Sequence, residues 1–319
     1  MSAPQPAPTR IQVRVPAKIN PFLAVRGVRD DGYHELITLF QTVALSDTLT
    51  LSVQAGEGRM HHPTSGGRIA VRLNHDAGPS VPTGGDNLIV RAAAVLAGHV
   101  GLTIVDDAPV WTTIDLLKRI PVAGGMAGGS ADAAAALLGL NELWGAELQR
   151  AQLVHMAEGL GADVPFCLAG GTALATGTGS GLAGVLSRGT FEWVVCTGVE
   201  ELSTAMVYAA WDEHCQPLEA EPDDVLTAIA AGDPELLGPA LHNELQPAAE
   251  ELVPRLRADR RALMDAGALG AVLSGSGPTL LALAADAGEA QRIAGRVAGR
   301  FERVLVTSSP AGGPVLSQI

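Results

Sequence analysis

Lysine is scarce in this chain. Of 21 basic residues only two, Lys18 and Lys118, are lysine, and the rest are arginine. A lysine ammonium is a compact point charge and an arginine guanidinium a planar fork, so the two do not substitute freely. Either the two lysines mark places where a compact cation is wanted, or chance and codon bias left them there. Cysteine is scarce too. Cys167, Cys196 and Cys215 are odd in number, widely spaced, and form no C-x-x-C pair. This argues against a disulfide scaffold or a zinc knuckle and fits a reducing cytosol. Positive charge is in deficit: 21 Lys+Arg against 34 Asp+Glu leaves −13. That balance argues against nucleic acid and against anionic membrane surfaces as partners. An anionic small molecule would have to be held locally, by backbone N–H groups and a few cations. Unbroken apolar runs are missing as well. Residues 164–187 and 266–285 carry no charge, but GG, GTGSG and SGSGP interrupt them, so both read as buried strands around tight loops rather than membrane spans. The opening MSAPQPAPTR has no apolar stretch of signal-peptide type, so residues 1–9 read as a disordered tail and the protein as cytoplasmic.

What is present is glycine and alternation. At about 150 residues per domain, the length of 319 suggests two domains. Strands are expected at 10–15 and 17–25, and again on both sides of Asp47. The DDGYH turn at 30–34 joins them. Residues 56–68 and 74–87 read as loops, and 87–100 as an amphipathic helix capped by Asn87 or Asp86. After a strand at 110–116 come a glycine-rich loop and an alanine-rich helix. GADVPF at 161–166 reads as a loop. Beyond it, helices are expected at 203–214, 223–231, 235–245, 248–266 and 287–301, interleaved with strands at 191–198, around SGSGP and at the end. This pattern is α+β, with a second small sheet carrying helices on one face and a boundary near residue 173, giving domains 1–173 and 174–319.

The strongest chemical signal is the run Pro121, Val122, Ala123, Gly124, Gly125, Met126, Ala127, Gly128, Gly129, Ser130, Ala131. Glycines let backbone N–H groups turn inward, and the helix that follows points its orphan donors and partial positive charge the same way. Together they form a phosphate cradle. Ser130 can cap that helix and offer its hydroxyl to a phosphate or a metal. No Lys-Ser/Thr closes the loop, so it is not a Walker A motif, and it is not G-x-G-x-x-G either. Elsewhere the residues alone leave alternatives open. Strand spacing puts Lys18 and Asn20 on one face with Phe22. Asp163 is a turn-former or a positioned base. Tyr33 and His34 are hairpin-edge packing or a stacking surface for a base. Thr204 and Tyr208 lie one helical turn apart. Gly275, Ser276 and Gly277 form a loop between strands, without the G-x-S-x-G of a hydrolase elbow.

Taken with PAKINPFL near the N-terminus and VLSGSGPTLLAL near the C-terminus, the glycine-rich loop resembles the three motifs of the GHMP kinases, in the right order and over about residues 11–310. AKIN-x-FL, DGYHEL, DNL and LGADVPF resemble the branch that acts on a cytidine-diphosphate-linked methylerythritol on the non-mevalonate route to isoprenoids. The resemblance implies a two-domain α+β fold, ribosomal-protein-S5-like then ferredoxin-like. It also implies transfer of the γ-phosphoryl of ATP to the 2-hydroxyl of the small-molecule acceptor, with Mg²⁺ as cofactor. It assigns Asp163 as base and Lys18 as its electrostatic partner. ATP would meet residues 121–131 with Asn87, Leu88 and Lys118 (Lys118 could equally meet a phosphate). The acceptor would meet Asn20, Tyr33, His34, Thr204, Tyr208, Gly275, Ser276 and Gly277, and Ser130 is the candidate magnesium ligand. Ala123 and Ala127 depart from the family's frequent glycines and fit the turn only if φ stays negative there. Ala131 departs from a common Ser or Thr. Two competitors remain: another family kinase of homoserine or mevalonate type, and a nucleotide-binding module without catalysis, which would have no use for both Lys18 and Asp163.

Overall fold

The computed structural model describes residues 9–30, 32–55, 67–179, 181–198, 200, 202–214 and 220–319. Residues 1–8 of the expected tail, most of the 56–68 loop, Asp31 and Cys215 lie outside them. The chain runs β1 (Arg10–Val28), β2 (His34–Ala55), β3 (Arg68–His75), α1 (Leu88–His99), β4 (Thr103–Ile104), β5 (Val110–Leu117), α2 (Gly128–Leu143), α3 (Arg150–Glu158), α4 (Val164–Ala169), β6 (Thr172–Gly177), β7 (Gly181–Gly184) and β8 (Phe191–Thr197). It continues through α5 (Thr204–His214), α6 (Asp223–Ala231), α7 (Pro234–Ala240), β9 (His242–Asn243), α8 (Gln246–Leu252), α9 (Arg255–Asp265), β10 (Gly270–Leu273), β11 (Leu280–Ala284), α10 (Ala287–Val297), β12 (Arg303–Ser309) and β13 (Val315–Gln318).

The first sheet has the order β13-β1-β2-β5-β3-β4. β2 is long enough to take two partners on one edge: Leu36–Gln41 pair with β6 and Thr48–Ala55 with β5. Residue 173 lies inside β6, and β13 returns to β1, so this sheet takes strands from both sides of that position. α2 packs across β1 and β2. Its Ala131 and Ala133–Ala136 are fully buried, and small side chains let the helix lie close to the strands. Gly139 marks the closest approach, since a Cβ there would stand 2.9 Å from Leu51.

β1 is one continuous strand, not two, and a bulge decides what it presents. Val13, Val15, Ala17 and Ile19 alternate into the larger core. The register with β2 then shifts between Ile19 and Phe22. An extra residue reverses the alternation beyond it. Phe22 and Ala24 therefore join the larger core, while Leu23 and Val25 face the second one. Strict alternation put Phe22 beside Lys18 and Asn20; the bulge puts Leu23 on the cavity wall with them instead.

The second sheet is antiparallel, in the order β10-β11-β8-β12. The sequence pattern placed its helices on one face, but both faces are buried. Trp193, Val195, Leu281 and Leu283 enter the larger core, whereas Val194, Cys196, Leu280 and Ala282 pack under α9 and α10. That is why these strands read as solid apolar runs. Other elements also differ from expectation. β3 and β13 were not foreseen. The helix expected over 235–245 stops at Ala240, and His242–Asn243 form β9 beside β1. The one expected over 248–266 splits at Val253–Pro254, because a residue before proline is driven from helical to extended backbone, and Val253 has φ −130°, ψ 83°. GADVPF is not all loop: α4 begins at Val164, with Pro165 in its first turn, where a missing N–H costs nothing.

Candidate active site

A cavity of about 720 Å³ lies where β1, β2, the glycine-rich loop, the start of α4, the start of α5 and the 275–277 loop converge. Lys18 is 5% exposed on its wall. Its ammonium donates to Asn20 Oδ1 at 2.8 Å and stands 3.6 Å from Asp163 Oδ2. It also sits 5.0 Å from the centroid of the Phe40 ring. Asn20 is fixed in turn: its Nδ2 donates to Thr38 Oγ1 at 2.8 Å, and Thr38 donates to the Phe22 carbonyl at 2.7 Å. Asp163 occupies the N-cap position of α4, yet its side chain makes no capping bond. The carboxylate is therefore left for Lys18 and the cavity, half-buried between them.

The glycine-rich loop forms the floor. Every second residue of its middle is left-handed: Ala123 at φ 53°, Gly125 at φ 69° and Ala127 at φ 54°. Alternation of this kind turns successive N–H groups to one side and makes an anion nest. The condition that the alanines keep φ negative is thus not met. Both occupy the region where a Cβ costs about 1–2 kcal/mol, and the nest is kept despite that cost. α2 starts at Gly128, so Ser130 sits within its first turn and does not cap it; Ala127 is the N-cap and offers no side-chain bond. Ser130 still lines the cavity, but Met126 and Ala131 do not and are buried in the core. Met126 contributes its carbonyl, which accepts from Lys18 N at 3.3 Å.

The 274–279 loop is clamped onto this floor. A Cβ on Gly125 would stand 2.0 Å from the Ser274 carbonyl, and Ser274 Oγ donates to the Gly125 carbonyl at 3.1 Å. Asn243 holds the loop from behind, donating to the carbonyls of Leu273 at 2.8 Å and Gly275 at 2.7 Å. Gly275, Ser276 and Gly277 all face the cavity, and Ser276 Oγ bonds Thr204 Oγ1 at 2.9 Å. Tyr208 lines the same wall. Burial pushes its phenol up to about 12, and the Asp163 charge adds to the effect. Tyr33 and His34 do not line the cavity. Tyr33 is 68% exposed in the turn before β2. The His34 ring stacks on Tyr208 with centroids 4.5 Å apart, and its Nε2 bonds Asp212 at 2.8 Å.

Asn87 caps α1, accepting from Ile89 N at 2.8 Å, and lines the cavity with Leu88. Lys118 lines it too, but its ammonium is engaged, donating to Asp47 Oδ2 and Asp132 Oδ2, each at 2.6 Å. Asp47 also accepts from Arg119 N at 2.5 Å and Ile120 N at 2.9 Å. Burial opposes the Lys118 charge, but the two carboxylates outweigh it and raise the lysine above its ordinary value. Burial pushes the Asp132 carboxyl up to about 8; Lys118 pulls against this and the Asp47 charge adds to it. Cys167 lies beneath Asp163, and burial raises its thiol too far for it to act as a nucleophile.

The model for the GHMP kinases N terminal domain matches residues 87–171, and the GHMP kinases C terminal model matches 225–303. Over 312 residues the chain is 46% identical to the 4-diphosphocytidyl-2-C-methyl-D-erythritol kinase of Nocardia farcinica, covering 97% of this chain and 95% of that protein. The chain belongs to the GHMP kinase family. It is thus an ATP-dependent phosphotransferase acting on a small molecule, with the two-domain α+β GHMP fold. The namesake enzyme of Mycobacterium tuberculosis is 43% identical over 309 residues, covering 96% of this chain and 91% of its own. A crystal structure of 4-(cytidine 5'-diphospho)-2C-methyl-D-erythritol kinase superimposes with TM-score 0.73 at 33% identity, over 94% of this chain and 100% of that one. Homoserine kinase from Cytophaga hutchinsonii, at 18% identity and TM-score 0.72 over 99% of this chain and 100% of its own, shares the fold.

Several cavity residues of this GHMP kinase carried no assigned role in the sequence. Asp132 stands in the glycine motif itself, two residues after Ser130. Thr38, Phe40, Ser80–Pro82, Thr178 and Leu245 are scattered along the chain, and no spacing rule links them.

Proposed function

We propose that this chain transfers the γ-phosphoryl of ATP to the 2-hydroxyl of 4-diphosphocytidyl-2-C-methyl-D-erythritol, on the non-mevalonate route to isoprenoid precursors. The observation that carries the reading is the Lys18–Asp163 pair, 3.6 Å apart on the wall of the cavity that has the glycine nest as its floor. The nest holds the triphosphate by backbone N–H groups, as a protein of net charge −13 must hold an anion. Asn87 and Leu88 bound the adenosine side. The acceptor hydroxyl lies between Asp163 and the γ-phosphorus. A carboxylate cannot ionise an alcohol in the ground state, and a loose phosphoryl-transfer transition state does not ask it to. Asp163 orients the hydroxyl and takes its proton late. Lys18 stands 3.6 Å from that carboxylate and offsets charge on the moving phosphoryl group. Asn20 holds the ammonium in place.

The remaining cavity wall takes the rest of the acceptor. Thr204 and Ser276 offer paired hydroxyls, Gly275 and Gly277 offer backbone, and Tyr208 offers an aromatic face. His34 stands behind Tyr208, and the exposed Tyr33 precedes it in the chain. The relatives at 43–46% identity, spanning nearly the whole chain, support this acceptor over homoserine or mevalonate. Mg²⁺ accompanying ATP supplies charge neutralisation of the phosphates. Ser130 offers one oxygen, and the buried Asp132 Oδ1 has no hydrogen-bond partner among the described residues, so the donor set fits a hard cation. Among the described residues no helix is long and apolar enough to cross a membrane, and a cytoplasmic location belongs to the same proposal.

The test supplies ATP, Mg²⁺ and the cytidine-diphospho acceptor and follows ADP, with mevalonate and homoserine as controls. Turnover with the first alone is expected; no turnover with it refutes the reading. Asp163→Asn is expected to leave ATP affinity nearly intact and to lower kcat by about 10²–10⁴-fold. An equal loss of nucleotide affinity would make Asp163 a structural residue.

A further inference from the structure

The buried group at Asp47, Lys118 and Asp132 sets two carboxyl groups on one ammonium. Asp47 is fully buried, and both its oxygens are satisfied: one takes two backbone N–H groups and the other takes the lysine. One carboxylate and one ammonium then cancel. Asp132 is the second carboxylate on that same ammonium, 4% exposed, and its Oδ1 has no hydrogen-bond partner among the described residues. A buried polar oxygen without a partner is costly, and a buried carboxylate without a cation of its own costs more. The residue nevertheless lines the cavity, beside the nest that faces the phosphates.

We infer that Asp132 is the protein carboxylate for the divalent cation of the metal–nucleotide complex, its free oxygen being kept for that ion. The inference rests on the ATP-binding reading above. Mg²⁺ keeps several waters and takes one or two carboxylates together with substrate phosphates, not a full protein cage. One orphaned oxygen beside a phosphate nest meets that demand. No group of three or more His, Cys, Asp or Glu side chains gathers as an alternative cage among the described residues. Lys118 then has a defined task. It bonds Oδ2, which leaves Oδ1 the oxygen without a partner among the described residues, and Asp47 anchors the lysine.

The test measures binding, not turnover, on the full chain without acceptor. Nucleotide affinity is measured with ATP in chelator, and Mn²⁺ affinity is then measured by electron paramagnetic resonance with a non-hydrolysable ATP analogue present. Asp132→Asn keeps the size of the side chain and a carbonyl oxygen for Lys118. It is expected to bind metal-free ATP as the wild type does and to bind Mn²⁺ about 10–100-fold more weakly. Lys118→Met removes the lysine that holds Oδ2 and is expected to weaken Mn²⁺ by less than Asp132→Asn does. Wild-type Mn²⁺ affinity in Asp132→Asn overturns the assignment, and so does an equal loss of metal-free ATP affinity in that variant, which would mean a deformed floor. Failure of the wild type to bind ATP at all would instead defeat the nucleotide reading.

Discussion

Gly125→Ala separates backbone strain from loop clamping. Gly125 has φ +69°, so any side chain there bears the left-handed penalty, about 1–2 kcal/mol. The added Cβ would also stand 2.0 Å from the Ser274 carbonyl oxygen and 3.0 Å from its carbon. Ordinary contact begins at 3.4 Å, so the glycine-rich loop and the 274–279 loop must separate by 3.4 − 2.0 = 1.4 Å. Both partners are backbone and cannot rotate away. Overpacking of this kind adds about 1–3 kcal/mol. The loss of activity should exceed the loss of stability, because displacements near 1 Å in a positioning element can cost about 100-fold. Gly171→Ala is the control: φ is +78° and nothing lies within 4 Å of the new Cβ, so it carries strain alone. Urea unfolding and coupled ADP release on both variants give the comparison. Gly125→Ala should fall about 100-fold or more in kcat/KM, with Gly171→Ala near wild type. If the two variants behave alike in activity and stability, the contact between the loops does not hold the floor together.

Two further outcomes follow from the same geometry. Ala127→Gly should stabilise the protein by about 1 kcal/mol, since Ala127 sits at φ 54° and loses its Cβ penalty; an unchanged thermal midpoint would show that the conformation is unstrained. Tyr208 has its phenol raised from 10 to about 12 by burial and the Asp163 charge. The folded state therefore holds that proton when the unfolded chain has lost it, and its contribution is whole below pH 10 and lost as pH rises toward 12. The stability of wild type relative to Tyr208→Phe should fall by on the order of 2 kcal/mol across that window, and parallel pH curves would refute the burial argument.

Much of the site was legible because its chemistry is contiguous in the chain. The phosphate floor lies in one run of eleven residues, and glycine spacing before an alanine-rich helix states both the turn and the helix start to within two residues. The pairing of Lys18 with Asn20 needs only the period of a strand. Lysine rarity marked both Lys18 and Lys118, though it could not say that the second would be spent on two aspartates. The helix cap at Asn87 and the strand–loop–strand around SGSGP were equally local.

What the sequence by itself determined is therefore the set of elements that local backbone chemistry dictates: the glycine-rich turn, the Asn87 cap, strand alternation and the two lysines. Tertiary structure alone decided the rest. The bulge in β1 depends on pairing with β2, and it put Leu23 rather than Phe22 on the cavity wall. Lys18 and Asp163 are 145 residues apart in sequence (163 − 18) and meet only because α4 docks against the strand that carries the lysine. The left-handed alanines persist because the 274–279 loop braces the turn from above, a contact between segments some 150 residues apart. Asp132 looked like an ordinary helix residue until folding buried it beside a lysine that Asp47 had already neutralised. Local pattern fixes which way each side chain points along its own element. Only packing between distant elements fixes which charges share a cavity.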